Sequence, residues 1–68
     1  MFVITNEDMT EFVGLDQASG GYPYVSNRFV QAHFYFTKED AQKEIDNEYL
    51  SKFLPRNARI ARVNLELI

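Results

Sequence analysis

The rhythm of apolar and polar positions changes several times along this chain, and each change marks an element. Phe2, Val3 and Ile4 form a short β-branched and aromatic run that predicts a first strand. Asn6, Glu7 and Asp8 follow, and Asn and Asp readily bond their own backbone, so they predict a turn. Phe12, Val13, Gly14 and Leu15 predict a second strand, with residues 5–10 as the bend of a hairpin. A glycine inside a strand offers no side chain to pack, so Gly14 marks a bulge or the close approach of another backbone.

Asp16 to Asn27 shows no period. Gly20 and Gly21 admit positive φ. Pro23 fixes its own φ and drives Tyr22 toward extended geometry. The result is a stiff Tyr22-Pro23-Tyr24 segment hinged at the glycines. At about 12 residues the connection is long for a compact domain, and loops of that length tend to carry function. Next, Ala32, Phe34 and Phe36 share one parity while His33 and Tyr35 share the other, which predicts a strand over 33–36. Phe29 to Ala32 reads equally as strand or helical turn.

Thr37 is a good helix N-cap, with Asp40 three residues on and Phe36 placed to staple onto Ala41. Ala41, Ile45, Tyr49 and Phe53 then recur every four residues, with Leu50 and Leu54 beside them. That stripe predicts an amphipathic helix that Pro55 stops. Ala58 to Leu67 predicts a last strand. Ala61, Val63, Leu65 and Leu67 share one face and Arg62, Asn64 and Glu66 the other, while Ile60 breaks the alternation and predicts a bulge or a late start. The order β-β-β-α-β points to one small α+β domain over residues 1–68. Its simplest form is a mostly antiparallel sheet of about three or four strands with one helix packed on one face. A single helix shields one face only, so the other is expected to stay poorly covered and open to a partner.

Composition narrows the classes. Sixty-eight residues bury only about 60% of the surface of the unfolded chain, too little for a second domain, a doubly wound fold or a barrel enzyme. Without cysteine there are no disulfides, zinc–thiolate sites or thiol catalysis. The net charge of −3 gives no general attraction to nucleic acid or anionic lipid. The charge is uneven, however. Glu7, Asp8, Glu11 and Asp16 stand without Lys or Arg in residues 1–27, whereas residues 49–68 hold Lys52, Arg56, Arg59 and Arg62 against Glu66 alone. Such a gradient orients a molecule on a partner, or else cancels within the fold. No apolar run approaches the roughly 18 residues of a membrane span, and no basic leader precedes Phe2, so the cytoplasm is the expected compartment.

Candidate chemistry is sparse. His33 is the lone histidine, with no nucleophile spaced to use it. Asp40, Glu44 and Glu48 share a helical spacing, but a hard cation needs about six oxygens, and neither a metal nor another cofactor is expected. Gly20-Gly21 lacks the lysine of a phosphate loop. No catalytic set emerges, and an enzyme is not expected. Lys52, Arg56, Arg59 and Arg62 form the electropositive candidate for phosphates or carboxylates, although Arg59 and Arg62 fall on opposite faces of a regular strand. Tyr22, Pro23 and Tyr24 are the principal candidates for a partner-binding surface, with Arg28 helping to orient the partner; tyrosine is enriched at such surfaces. In the alternative reading one or both rings fold back to cap the open sheet face.

The N-terminal hairpin, the Ser19-Gly20-Gly21-Tyr22-Pro23-Tyr24 run and the spacing of Ala32, Phe34, Thr37 and Ala41 resemble small open reading frames of tailed bacteriophages, over about residues 2–45. The Gly-Gly-Tyr-Pro-Tyr run is the most specific part. The resemblance implies a non-enzymatic accessory protein that works in the host cytoplasm by binding a host protein, such as a defence or expression factor, and inhibiting or modulating it. Two other classes remain. One is a small nucleic-acid-binding protein using the basic C-terminal segment. The other is a homodimer or assembly component joined through the uncovered sheet face.

Overall fold

Strands β1 (Phe2–Thr5), β2 (Phe12–Asp16), β3 (Tyr22–Ser26) and β4 (Arg59–Arg62) form one antiparallel sheet in the order β3-β2-β1-β4. Helix α1 (Lys38–Asp46) lies between β3 and β4 in the chain. This computed structural model describes residues 1–16, 18 and 20–63. The α+β class and the element order β-β-β-α-β match expectation, but the third strand is displaced.

The β1–β2 turn forms as its residues dictate. The Asn6 side-chain oxygen accepts from the N–H groups of Thr10 and Glu11 at 2.9 and 3.0 Å, while its amide donates to Thr10 Oγ1 at 2.9 Å. These bonds stand in for backbone partners that the turn lacks.

The stiff Tyr22-Pro23-Tyr24 segment is itself the third strand, paired with β2 from Tyr22↔Asp16 to Ser26↔Phe12. Proline is tolerated there for a specific reason. The Val13 carbonyl accepts from the His33 N–H at 2.9 Å, so Val13 turns its backbone groups away from β3. Phe12, Gly14 and Asp16 therefore face β3, and the backbone of Pro23 and Val25 points outward from the sheet edge. The missing N–H of Pro23 costs no ladder bond. The strand expected over 33–36 shrinks to a single bridge, Phe2↔Tyr35.

That bridge explains how the chain is threaded. β1 and β2 are registered at one pair only, Thr5↔Phe12. Residues 33–35 occupy the gap beyond it, bonding β2 through His33 and β1 through reciprocal 2.8 Å bonds between Phe2 and Tyr35. The chain thus passes between β1 and β2, from one face of the sheet to the other.

On the helix side, Ile4, Val13, Tyr35 and Ala41 form the buried core, with Phe2, Ile45, Leu54, Ala58 and Ile60 packed against it. Full burial of a side chain the size of Val or Ile contributes about 1.5–3 kcal/mol. Alternation places Val3, Thr5, Phe12 and Gly14 on the opposite side. This face is not left open, as a one-helix reading expects. Val3 and Thr5 are each 1% exposed. Over β2 the cover is the 3-10 turn Phe29–Gln31, whose Phe29 ring meets Phe12 edge-to-face at 5.3 Å and Phe34 at 5.8 Å. Gly14 makes room for it. A Cβ there would overlap the Gln31 carbonyl oxygen and lie 2.7 Å from Tyr24 Cζ.

Helix α1 begins as predicted, with Thr37 Oγ1 accepting from the Asp40 N–H at 3.1 Å. Phe36 does not staple onto Ala41, being exposed while Ala41 is buried. The helix also stops well short of Pro55. Asn47 leaves helical geometry, and its side-chain oxygen accepts from the N–H groups of Tyr49 and Leu50 at 2.9 and 3.2 Å. The side chain competes with the backbone and starts a new turn, followed by a 3-10 turn at Ser51–Phe53. β4 pairs with β1 residue for residue, Arg59↔Thr5 to Arg62↔Phe2. No extra residue enters at Ile60, which faces the core; no bulge forms there. The expected continuation through Leu65 and Leu67 lies outside the described residues.

Candidate protein-binding surface

Tyr22 opens β3 directly after Gly20 and Gly21, whose φ angles are +83° and +84°. These are left-handed values that glycine adopts at little cost. A 2.8 Å bond from the Gly21 N–H to the Asp16 carbonyl closes the loop. The hinge predicted from the paired glycines is therefore present, and it delivers the Tyr22 ring to the surface.

There Tyr22 meets a residue from the far end of the chain. Its ring stands edge-on to Phe53, with centroids 6.3 Å apart and planes at 68°. Tyr22 is 58% exposed and Phe53 47% exposed. Lys52 precedes Phe53 in the same 3-10 turn and is exposed. Exposed Tyr49 lies just upstream in sequence. An aromatic pair with one cation beside it offers a large contact area, ring edges for other aromatics and a phenol for hydrogen bonding.

The other candidates divide. Tyr24 shares the face of Tyr22, but its ring packs over Gly14 and its exposure falls to 37%. Pro23 points to the helix side and is buried, so its side chain offers no outward contact. Arg28 is exposed at the turn after β3, where its N–H donates to Ser26 Oγ at 3.1 Å. Val25 is also exposed on β3.

The basic residues do not gather into one patch. Arg59 and Arg62 point to opposite faces of β4, as alternation requires. Arg59 pairs with Glu7 at 3.3 Å, with both side chains well exposed, and such a pair contributes at most about 1 kcal/mol. Arg56 sits in the turn before β4. The Arg59–Glu7 pair joins the basic C-terminal segment to the acidic N-terminal one at one point of the fold. Asp40 and Glu44 lie on α1, but Glu48 falls beyond the helix end and leaves their face.

His33 and Tyr35 are held in the sheet gap, their rings edge-to-face at 4.7 Å. Burial, reinforced by the charge of Glu44, pushes the Tyr35 phenol far above its ordinary range. Its hydroxyl and Glu44 Oε2 are buried without hydrogen-bond partners. Tyr35 is a structural ring that stays neutral. Among the described residues no pocket opens on the surface, and no helix is long and apolar enough to cross a membrane.

Tyr49 and Phe53 are the residues that the sequence places wrongly, in the buried stripe of a long helix; both lie beyond the helix end and are exposed. The signal that redirects them is Asn47, a strong turn former set inside the stripe. Comparisons with protein-family models, curated proteins and solved structures found no match for the chain.

Proposed function

We propose that this chain is a non-enzymatic binding module that docks a partner protein on the exposed aromatic pair of Tyr22 and Phe53. The observation that carries this reading is the pair itself. Two aromatic residues from distant segments meet at the surface, about half exposed, where folding alone would favour burial. Aromatic anchors of this kind dominate protein–protein binding energies. Lys52 beside the pair, and Arg28 at the far end of β3, supply orienting charge. The origin implied by the Gly-Gly-Tyr-Pro-Tyr run makes the partner a bacterial host protein, which the module would inhibit or modulate. A protein is favoured over nucleic acid because the cations are split between faces and Arg59 is engaged by Glu7.

Capture from nuclease-treated bacterial lysate on the immobilised chain, read by mass spectrometry, tests this. The wild-type chain is expected to retain a defined host protein that the Tyr22→Ala/Phe53→Ala variant releases. Equal capture by both, or retention of nucleic acid alone before nuclease treatment, would overturn the reading.

A further inference from the structure

The two edges of the sheet differ in what they offer a further strand. The bonding parity of β4 follows from its partner. Phe2 spends both backbone groups on Tyr35, so Met1, Val3 and Thr5 face β4. The Val63 N–H accordingly donates to the Met1 carbonyl at 2.7 Å, and the Met1 amino group donates back to the Val63 carbonyl at 3.3 Å. Arg59 and Ala61 are thereby turned inward, and the N–H and C=O groups of Ile60 and Arg62 point outward. Among the described residues β4 is the last strand of the sheet, so these groups form its open edge. The outward backbone of β3 lacks a donor at Pro23, whereas β4 offers an unbroken donor and acceptor at each outward residue.

Charge decides what fits there. Arg62 projects on the Phe2 side of the sheet and Arg59 on the Thr5 side, with half-buried Ile60 between them. Both arginines are exposed, and the Glu7 contact of Arg59 is a surface pair that a better-placed carboxylate can replace. A second copy of β4 laid along this edge would crowd the arginines of both copies together, which like-charge repulsion disfavours. An extended segment with carboxylates on both faces is attracted instead.

We infer that the β4 edge accepts an extended acidic peptide segment as an added strand, with two carboxylates three residues apart. The spacing follows from geometry. Residues directly opposite Arg62 and Arg59 are three positions apart whichever way the incoming strand runs, and directly opposed side chains lie about 4.5–5.5 Å apart at Cβ. Backbone bonds to Ile60 and Arg62 supply the attachment, and the arginines supply the selection. The position opposite Ile60 takes an apolar side chain. This surface lies at the opposite edge of the sheet from Tyr22 and is independent of the aromatic site.

The test is an amide NMR titration of the full chain with a capped peptide built on a Glu-Thr-Val-Glu core. The amide protons of Ile60 and Arg62 are expected to shift and to exchange more slowly, with binding that weakens as salt rises. Arg62→Glu is expected to weaken this peptide at least tenfold and to favour a version with Lys opposite position 62. Arg62→Gln controls for any effect of the reversed charge on folding and should also weaken binding. Tyr22→Ala/Phe53→Ala should bind the peptide like wild type, so failure here leaves the aromatic reading untouched. Equal binding of a Lys-Thr-Val-Lys core, no protection at Ile60 and Arg62, or indifference to Arg62→Glu would each overturn the inference.

Discussion

The two faces of the sheet are closed by unlike means. On one side a capped helix lays Ala41 and Ile45 over Ile4, Val13 and Ile60, with side chain filling side chain. On the other, a short turn brings Phe29 onto Phe12 and sets a backbone carbonyl directly over Gly14. The first closure depends on apolar volume and the second on the absence of a side chain. Among the described residues there is no second α-helix; residues 33–35 thread between β1 and β2, and the chain on both sides of the crossing serves as cover. The aromatic pair of Tyr22 and Phe53 belongs to neither closure, which is why it is left at the surface.

Substitutions on the two faces should separate these mechanisms. Ile4→Ala removes fully buried volume on the helix side and is expected to cost about 4 kcal/mol. Gly14→Ala adds a single carbon on the other side and is expected to cost about 3 kcal/mol, because the atom it meets is backbone and cannot swing aside. Urea unfolding measures both. If Gly14→Ala proves as harmless as a surface change, the turn is not seated on the sheet. Each loss is a large share of the roughly 3–10 kcal/mol expected for a domain of this size.

A smaller effect comes from the crossing itself. Burial raises the Tyr35 pKa above that of the unfolded chain, so the folded state holds this proton more tightly. The associated stability is complete below about pH 10, where an unfolded tyrosine ionises, and is lost as pH rises toward the folded value. Unfolding free energies from about pH 9 to pH 11 should therefore fall more steeply for the wild type than for Tyr35→Phe. At neutral pH Tyr35→Phe should cost little, since the hydroxyl it removes is buried without a partner. Equal alkaline slopes would place Tyr35 outside the core.

Features governed by neighbouring residues were legible in the sequence. The Asn6 turn, the Thr37 cap and the Gly20-Gly21 hinge each follow from one or two residues acting locally, and Gly14 advertises by its missing side chain the close approach that Gln31 and Tyr24 make. Features set by distant pairing were not. Tyr22-Pro23-Tyr24 reads as a loop because proline removes a donor, and only the pairing of β2 reveals that this donor faces outward. The alternation over 33–36 is genuine, but the gap between β1 and β2 admits one bridge. The apolar stripe after Asp46 suggested more helix, and the Asn47 side chain outcompetes it. Of the candidate surface, Tyr22 was visible from its hinge, whereas Phe53 was hidden because its meeting with Tyr22 depends on that early helix stop.

The most direct measurement is the thermal midpoint of Tyr22→Ala/Phe53→Ala beside that of Gly14→Ala. If the aromatic pair is surplus to both closures, the double variant stays folded and loses no more than about 2 kcal/mol, a shift of roughly 8–16 °C, less than the single added carbon at Gly14 removes. A double variant that melts below Gly14→Ala, or is unfolded at room temperature, would show that the two rings belong to the core and contradict their assignment as a docking surface.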